Sequence, residues 1–444
     1  MLSRYETTTE CESQLCLPRS STALAVNYET LIPHQLVLLA EPKRQPSYYE
    51  NAQVGNTFAE CISQLRMIER HSWLPLIGYE KRVKRYKPKE SKTVFKLRPI
   101  MYASHRDACI LSKYAWELSR ELDDYYKQSD LCRHVIAYRK LGKSNYHFSA
   151  DALRFARERP HCVVLCYDIS GFFDKLDHHI LKDRLKRILK TRELARDWFA
   201  VFRHVSRFSV VARGALAAHP RFGPELSVRS REPIATISEI IAEGIPIKTN
   251  PNRYGIPQGT PISSAFSNLY MLDVDTRMVE VCGRRGALYQ RYSDDILIVC
   301  NSGDEALIES TFTSQLKEHR LEINADKSER AVLDPCGSEM FQYLGFNISI
   351  DGAVIRPGSL ARQWRKARRS IARTKKIGTA AVASGKASKI YTKKLRKRFY
   401  PVGARNFSSY ARRSAKVFGS KKIVRQVLRL ERMIDKELRE LAPD

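Results

Sequence analysis

The chain has 444 residues, 43% hydrophobic and 9% aromatic, long enough for two or three domains and too apolar for a disordered protein. Its formal net charge of +29 and pI of 9.8 select a polyanionic partner, nucleic acid before a membrane surface. No apolar run is long enough to span a bilayer, and the ten cysteines include no Cys-x-x-Cys pair, which excludes zinc ribbons and zinc fingers.

Residues 1–10 are polar and predict no secretory leader. Cysteines within apolar runs, such as Cys109, Cys166 and Cys300, predict reduced core residues of a cytoplasmic protein. Residues 23–40 are apolar but carry no assignable role. Over 56–70, Phe58, Cys61, Ile62, Leu65 and Ile68 recur at helical spacing. A basic stretch, 81–89, sets Tyr86 among cations, as a nucleic-acid surface does. Val94 to Ile100 reads as a strand ended by Pro99, and 107–127 as a helix. The basic loop 137–145 contains Gly142 but lacks the phosphate-loop pattern.

Residues 161–169 read as a buried strand ending on Asp168, followed by a helix over 172–189. A long mixed insertion occupies about 206–250. The turn Gly255-Ile256-Pro257-Gln258-Gly259-Thr260-Pro261 delivers a helix over 263–281. Tyr292-Ser293-Asp294-Asp295 then lies between apolar runs, a strand–turn–strand with two acids at its tip. A helix over 305–319 follows, then Lys327, then a strand over 342–350 with Asp351-Gly352 as its hairpin turn. Beyond residue 361 there are 26 Lys and Arg against 5 Asp and Glu, and Ile423, Val427, Leu430 and Ile434 keep a helical period.

An Asp-Asp turn alone is an ordinary solvated turn. Three acids on strand ends, Asp168, Asp294 and Asp295, suit nucleotidyl transfer. That reaction uses two Mg²⁺ ions about 3.5–4 Å apart, held by a few carboxylates, phosphate oxygens and water.

Tyr167-Asp168-Ile169-Ser170-Gly171-Phe172-Phe173-Asp174, the Ile-Pro-Gln-Gly turn, Tyr292-Ser293-Asp294-Asp295 and Leu344-Gly345-Phe346 occur in the order of the palm motifs of reverse transcriptases. The chain resembles that family over about 75–360. The resemblance implies an α+β right-hand polymerase, with fingers, an antiparallel-sheet palm and an all-α basic thumb. Its expected limits are an N-terminal extension at 1–75, fingers at 76–160 and palm at 161–341. A primer-grip hairpin at 342–360 and the thumb at 361–444 complete it.

The same resemblance implies the residue roles. Asp168, Asp294 and Asp295, with the backbone carbonyl of Ile169, would bind two Mg²⁺ ions. Phe173 falls at the steric gate that excludes a 2′-hydroxyl. Gln258 would touch the incoming dNTP, and Gly259 would let the backbone approach it. Lys327 corresponds to a lysine near the leaving pyrophosphate. Arg98 corresponds to the fingers arginine on the triphosphate, with Lys96 a second candidate. Tyr343, Leu344 and Gly345 correspond to the primer grip. In the thumb, Arg365, Arg368, Arg369, Lys394 and Arg398 lie beside aromatic residues, the combination that suits an RNA backbone and stacked bases.

Motif details are similar to bacterial enzymes. No Val-Thr-Gly occurs in the thumb, and no Cys/His-rich endonuclease region or ribonuclease H acid set follows it. By exclusion the chain looks most like the phage-defence group, copying a dedicated non-coding RNA into DNA in the cytoplasm. Two other readings stand beside this one: a retron or maturase-type enzyme, and an RNA-binding scaffold with a vestigial palm.

Overall fold

The computed structural model describes residues 65–87, 92–159, 161–227, 234–334, 339–400 and 405–441. Of the helix expected over 56–70, Leu65–Glu69 is described, with Ile68 fully buried; Phe58, Cys61 and Ile62 lie outside the described residues. So do residues 1–40 and 88–91, which include the end of the first basic stretch.

A long antiparallel hairpin comes first, β1 (Leu76–Lys87) and β2 (Lys92–Tyr102). The basic stretch is therefore mostly strand. Pro99 does not end β2, contrary to expectation. Among the described residues β2 is the edge of its sheet, where a residue without an N–H is tolerated. Helix α1 (His105–Gln128) follows, N-capped by Ser104 Oγ, which accepts from Asp107 N, and then α2 (Asn145–Arg157).

β3 (Cys162–Asp168) is covered on both faces. Val163, Leu165 and Tyr167 enter one core, and Cys162, Val164 and Cys166 enter another. A strand with two buried faces shows an unbroken apolar run instead of alternation, as this one does. The helix expected over 172–189 is two, α3 (Phe172–Lys175) and α4 (His178–Ile188). Asp177 interrupts it, its carboxylate accepting from the N–H groups of His179 (2.9 Å) and Ile180 (3.1 Å) as an N-cap.

After α5 (Arg196–Ser206), the 206–250 segment builds β4 (Ser209–Ala212), short helices at Arg213–Ala218, Phe222–Ser227 and Ile237–Ala242, and β5 (Ile247–Thr249). It joins the first hairpin in a sheet of order β2-β1-β4-β5, with β4 parallel to β1. Ile77 and Tyr102 of the hairpin share a core with Val211, Leu216, Phe222 and Ile240.

The helix expected over 263–281 breaks at Met271 into α6 (Ser263–Tyr270) and α7 (Leu272–Arg284). β6 (Leu288–Tyr292), β7 (Asp295–Asn301), α8 (Glu305–Glu318) and β8 (Glu329–Leu333) complete the central sheet, of order β6-β7-β3-β8. The strand expected over 342–350 is instead the first two strands of a meander, β9 (Phe341–Tyr343), β10 (Phe346–Ser349) and β11 (Gly352–Ile355). Leu344 and Gly345 both take positive φ, 44° and 94°, and reverse the chain. The second turn is Ile350-Asp351, one residue earlier than expected, because Gly352 already pairs with Ser349.

The C-terminal region is helical: α9 (Pro357–Ala383), α10 (Lys393–Phe399), α11 (Phe407–Phe418) and α12 (Lys421–Leu441). Ile423 and Val427 pack into the core beneath the meander, and Leu430, Ile434 and Leu438 into a separate helical core with Ala367 and Phe399. Among the described residues no helix is long and apolar enough to cross a membrane.

Candidate active site

The antiparallel register of β3 and β7 sets Asp168 directly opposite Asp295. Tyr292 pairs with Asp295, so Ser293 and Asp294 form a two-residue turn, with Ser293 at φ 63°. Ile169 N donates to Asp294 O (3.2 Å), which stitches the end of β3 to that turn. The three acids singled out in the sequence are therefore neighbours by backbone pairing.

A buried frame holds the turn. Arg291 is fully buried and donates to both Asp275 oxygens, Nε to Oδ1 at 2.7 Å and Nη2 to Oδ2 at 2.6 Å. Its Nη1 reaches Ser293 O and Asn268 Oδ1, both at 3.2 Å. Tyr138 Oη donates to Ser293 Oγ (3.0 Å), and Tyr289 Oη to Asp275 (2.8 Å). Sequence reading missed Arg291, Asp275 and Tyr138. The available signal was an arginine inside an apolar strand, which needs a buried carboxylate partner.

The carboxylates are strained electrostatically. Asp295 retains solvent-accessible surface, yet burial among protein atoms, then Asp294, then Asp168, pushes its carboxyl up to about 7. Burial, with Asp168 adding to it, also raises Asp294. Lys327 Nζ pairs with Asp168 Oδ2. The chain around residue 324 brings it there: Ser170 N donates to Glu322 O (2.9 Å) and Asn324 N to Asp168 O (2.7 Å). Among the described residues no three His, Cys, Asp or Glu side chains are arranged as a ready metal cage. The set fits a divalent cation differently, as close, partly desolvated carboxylates needing positive charge, with other ligands drawn from phosphate and water.

The Gln258 turn lies against β2. Met101 N donates to Gln258 O (2.9 Å), and Gly259 has φ 123°. A Cβ on Gly259 would stand 2.6 Å from Met101 O, so only glycine permits this approach. Phe173, half-buried, meets Phe172 edge-on at 5.5 Å, and its carbonyl accepts from Ile256 N (2.9 Å). Arg98 is exposed on β2, directly opposite exposed Lys81. Two like charges facing each other across a strand pair repel. Lys96 lies on β2, and its side chain is not among those described.

Tyr343 is buried, its Oη 3.4 Å from Gln290 Oε1, so its ring anchors the meander; Leu344 and Gly345 form the turn beside it. Arg365, Arg368, Arg369, Lys394 and Arg398 are all exposed. Arg368 lies over Trp364 (5.6 Å), and Arg398 Nη1 donates to Ser370 Oγ (3.3 Å), tying α10 to α9.

A family profile described as reverse transcriptase (RNA-dependent DNA polymerase) matches residues 98–348. The chain belongs to the reverse transcriptase family. RNA-directed DNA synthesis in this family is a nucleotidyl transfer. Solved structures similar to this reverse transcriptase include a telomerase from Candida tropicalis truncated from its C-terminal domain. It is 12% identical, with 68% of this chain and 60% of that chain covered and a TM-score of 0.45. Telomerase from Candida albicans in complex with a TWJ fragment of telomeric RNA is 13% identical, with 84% and 63% covered and a TM-score of 0.46. The chain thus spans less than two thirds of the length of these telomerases. No curated protein matches it in sequence.

Proposed function

We propose that the chain is an RNA-directed DNA polymerase that adds dNTPs at the Asp168–Asp294–Asp295 cluster. The carrying observation is the register that sets Asp168 against Asp295, with Asp294 in the adjoining turn, inside a chain of this family. Asp168, Asp294, Asp295 and the Ile169 carbonyl would hold two Mg²⁺ ions, which when bound supply the charge that activates a 3′-hydroxyl and neutralises a triphosphate.

The chain's own groups do the rest. Arg98 and Lys81 take triphosphate oxygens from the first hairpin. Lys327 exchanges Asp168 for the departing pyrophosphate. Phe173 closes on the sugar, and Gln258 with Gly259 forms the opposite wall. The Leu344-Gly345 turn meets the primer. The exposed cations of α9 and α10 hold the template–primer duplex and the template RNA. In this arrangement positioning and electrostatics carry the catalysis.

The finer reading is a dedicated non-coding RNA as template, antiviral defence as the setting and the cytoplasm as the place. Motif resemblance and the strongly basic C-terminal region support it. The test is sequencing of nucleic acid that co-purifies with wild type and with the Asp294→Asn, Asp295→Asn double variant. One small RNA enriched in both, with complementary DNA only in wild type, is the expected result. DNA in the double variant would overturn the site, and RNA without DNA in both would favour a scaffold.

A further inference from the structure

The 206–250 segment leaves the chain at Ser206 and returns at Asn250, and the Asn250 side chain closes its base. Its Nδ2 donates to Ser206 O (3.0 Å) and Tyr254 O (3.1 Å), with Gly255 O at 3.4 Å. Its Oδ1 accepts from Asn252 N (3.2 Å), and its own N–H donates to Phe208 O (2.9 Å). Asn250 is 9% exposed, so these bonds replace those it would make to water.

His178 reaches the same carbonyl. Its Nε2–H donates to Gly255 O (2.7 Å) and its backbone N–H to Arg253 O (2.9 Å). Burial lowers its affinity for a proton, consistent with a neutral imidazole whose tautomer carries the proton on Nε2. Gly255 N donates to Leu176 O (2.8 Å) and Ile256 N to Phe173 O (2.9 Å). A Cβ on Gly255 would stand 3.0 Å from Asp174 O, so the two segments have no slack. Three residues after Gly255, Gln258 O accepts from Met101 N of β2 (2.9 Å). A cleft of about 180 Å³ opens between these parts, lined by Pro99, Met101, Asp174, Phe208, Tyr254 and Gln258, among others.

We propose that Asn250 and His178 are positioning residues that, through the Gly255 carbonyl, set the separation of Phe173 from Gln258 and thereby sugar discrimination. The proposal rests on the nucleotide-site reading above. A gate works by a steric margin of well under the length of one bond, and rigid hydrogen bonds to both walls hold such a margin. The 206–250 segment, which shares a sheet with the hairpin bearing Arg98, is thereby tied to the nucleotide seat as well.

The test uses the full chain, an RNA template with a DNA primer, and single-nucleotide incorporation of dATP or ATP by wild type, H178A, H178Q and N250A. In both alanine variants KM for dATP should rise about tenfold while kcat stays within about threefold, and preference for dATP over ATP should fall about tenfold. In H178Q the glutamine amide donates to the same carbonyl, so discrimination should return. Unchanged KM and preference in folded alanine variants overturns the proposal. So does a loss of kcat alone that follows the melting temperature in all variants, H178Q included. If N250A does not fold, the H178A and H178Q pair decides. If wild type incorporates neither nucleotide, the polymerase reading itself fails, and this proposal with it.

Discussion

Arg291 and Asp275 form a two-pronged ion pair with no solvent exposure, directly beneath the turn that carries Asp294. Removing one partner strands the other charge in the core. Asp275→Ala or Arg291→Met should therefore cost roughly 3–5 kcal/mol of folding stability. Denaturant midpoints check this. Arg291→Lys keeps the charge but loses the fork and the bond to Ser293 O. Its synthesis rate should fall further than its stability alone explains.

Asp295 gives a pH dependence with a definite sign. Its carboxyl, at about 7, lies above the ordinary aspartate range near about 4. Between those values the folded chain keeps a proton that the unfolded chain releases, so stability without metal falls as pH rises through that window. Unfolding in EDTA at pH 5 and pH 8 should show the loss, and Asp295→Asn should flatten it. Added Mg²⁺ should stabilise wild type more at pH 8 than at pH 5, and the asparagine variant little at either.

Gly259→Ala places a methyl group against Met101 O at a backbone angle that alanine avoids. The variant should lose roughly 1–3 kcal/mol of stability. It should also bind dNTPs more weakly, because the turn must move off β2. A KM equal to that of wild type would show that the turn does not form the nucleotide wall.

Charge removal on α9 tests the nucleic-acid surface. Arg365→Ala, Arg368→Ala and Arg369→Ala combined should lower the slope of log affinity against log salt for single-stranded RNA by about 2, at about 0.7 for each phosphate left without its arginine. An unchanged slope would place the RNA elsewhere.

The parts legible in sequence were those with local rules. β3 declared itself by its apolar run, the acid turn by its flanking strands, and α12 by its helical period. What escaped depended on partners remote in sequence. The break at Leu176-Asp177 needs the cap that Asp177 supplies, with Asp177 also pairing with Arg320 of the segment after α8. Pro99 inside β2 is acceptable because, among the described residues, no strand lies on that edge. The 206–250 segment looked like an interruption of the central unit, but its strands extend the hairpin sheet, a pairing to residues 76–78 that no local pattern announces. Tyr343, placed by resemblance in the primer grip, has its ring in the core, and the Leu344-Gly345 turn after it is half-buried.

β3 is a party wall. Its alternate side chains belong to two separate interiors, and the one built with Phe418, Ile423 and Val427 extends into the C-terminal helices. A change in how those helices pack thus reaches Asp168 through a single shared strand. Under the proposed function, the packing of α11 and α12 and the alignment of Asp168 share one strand as their foundation.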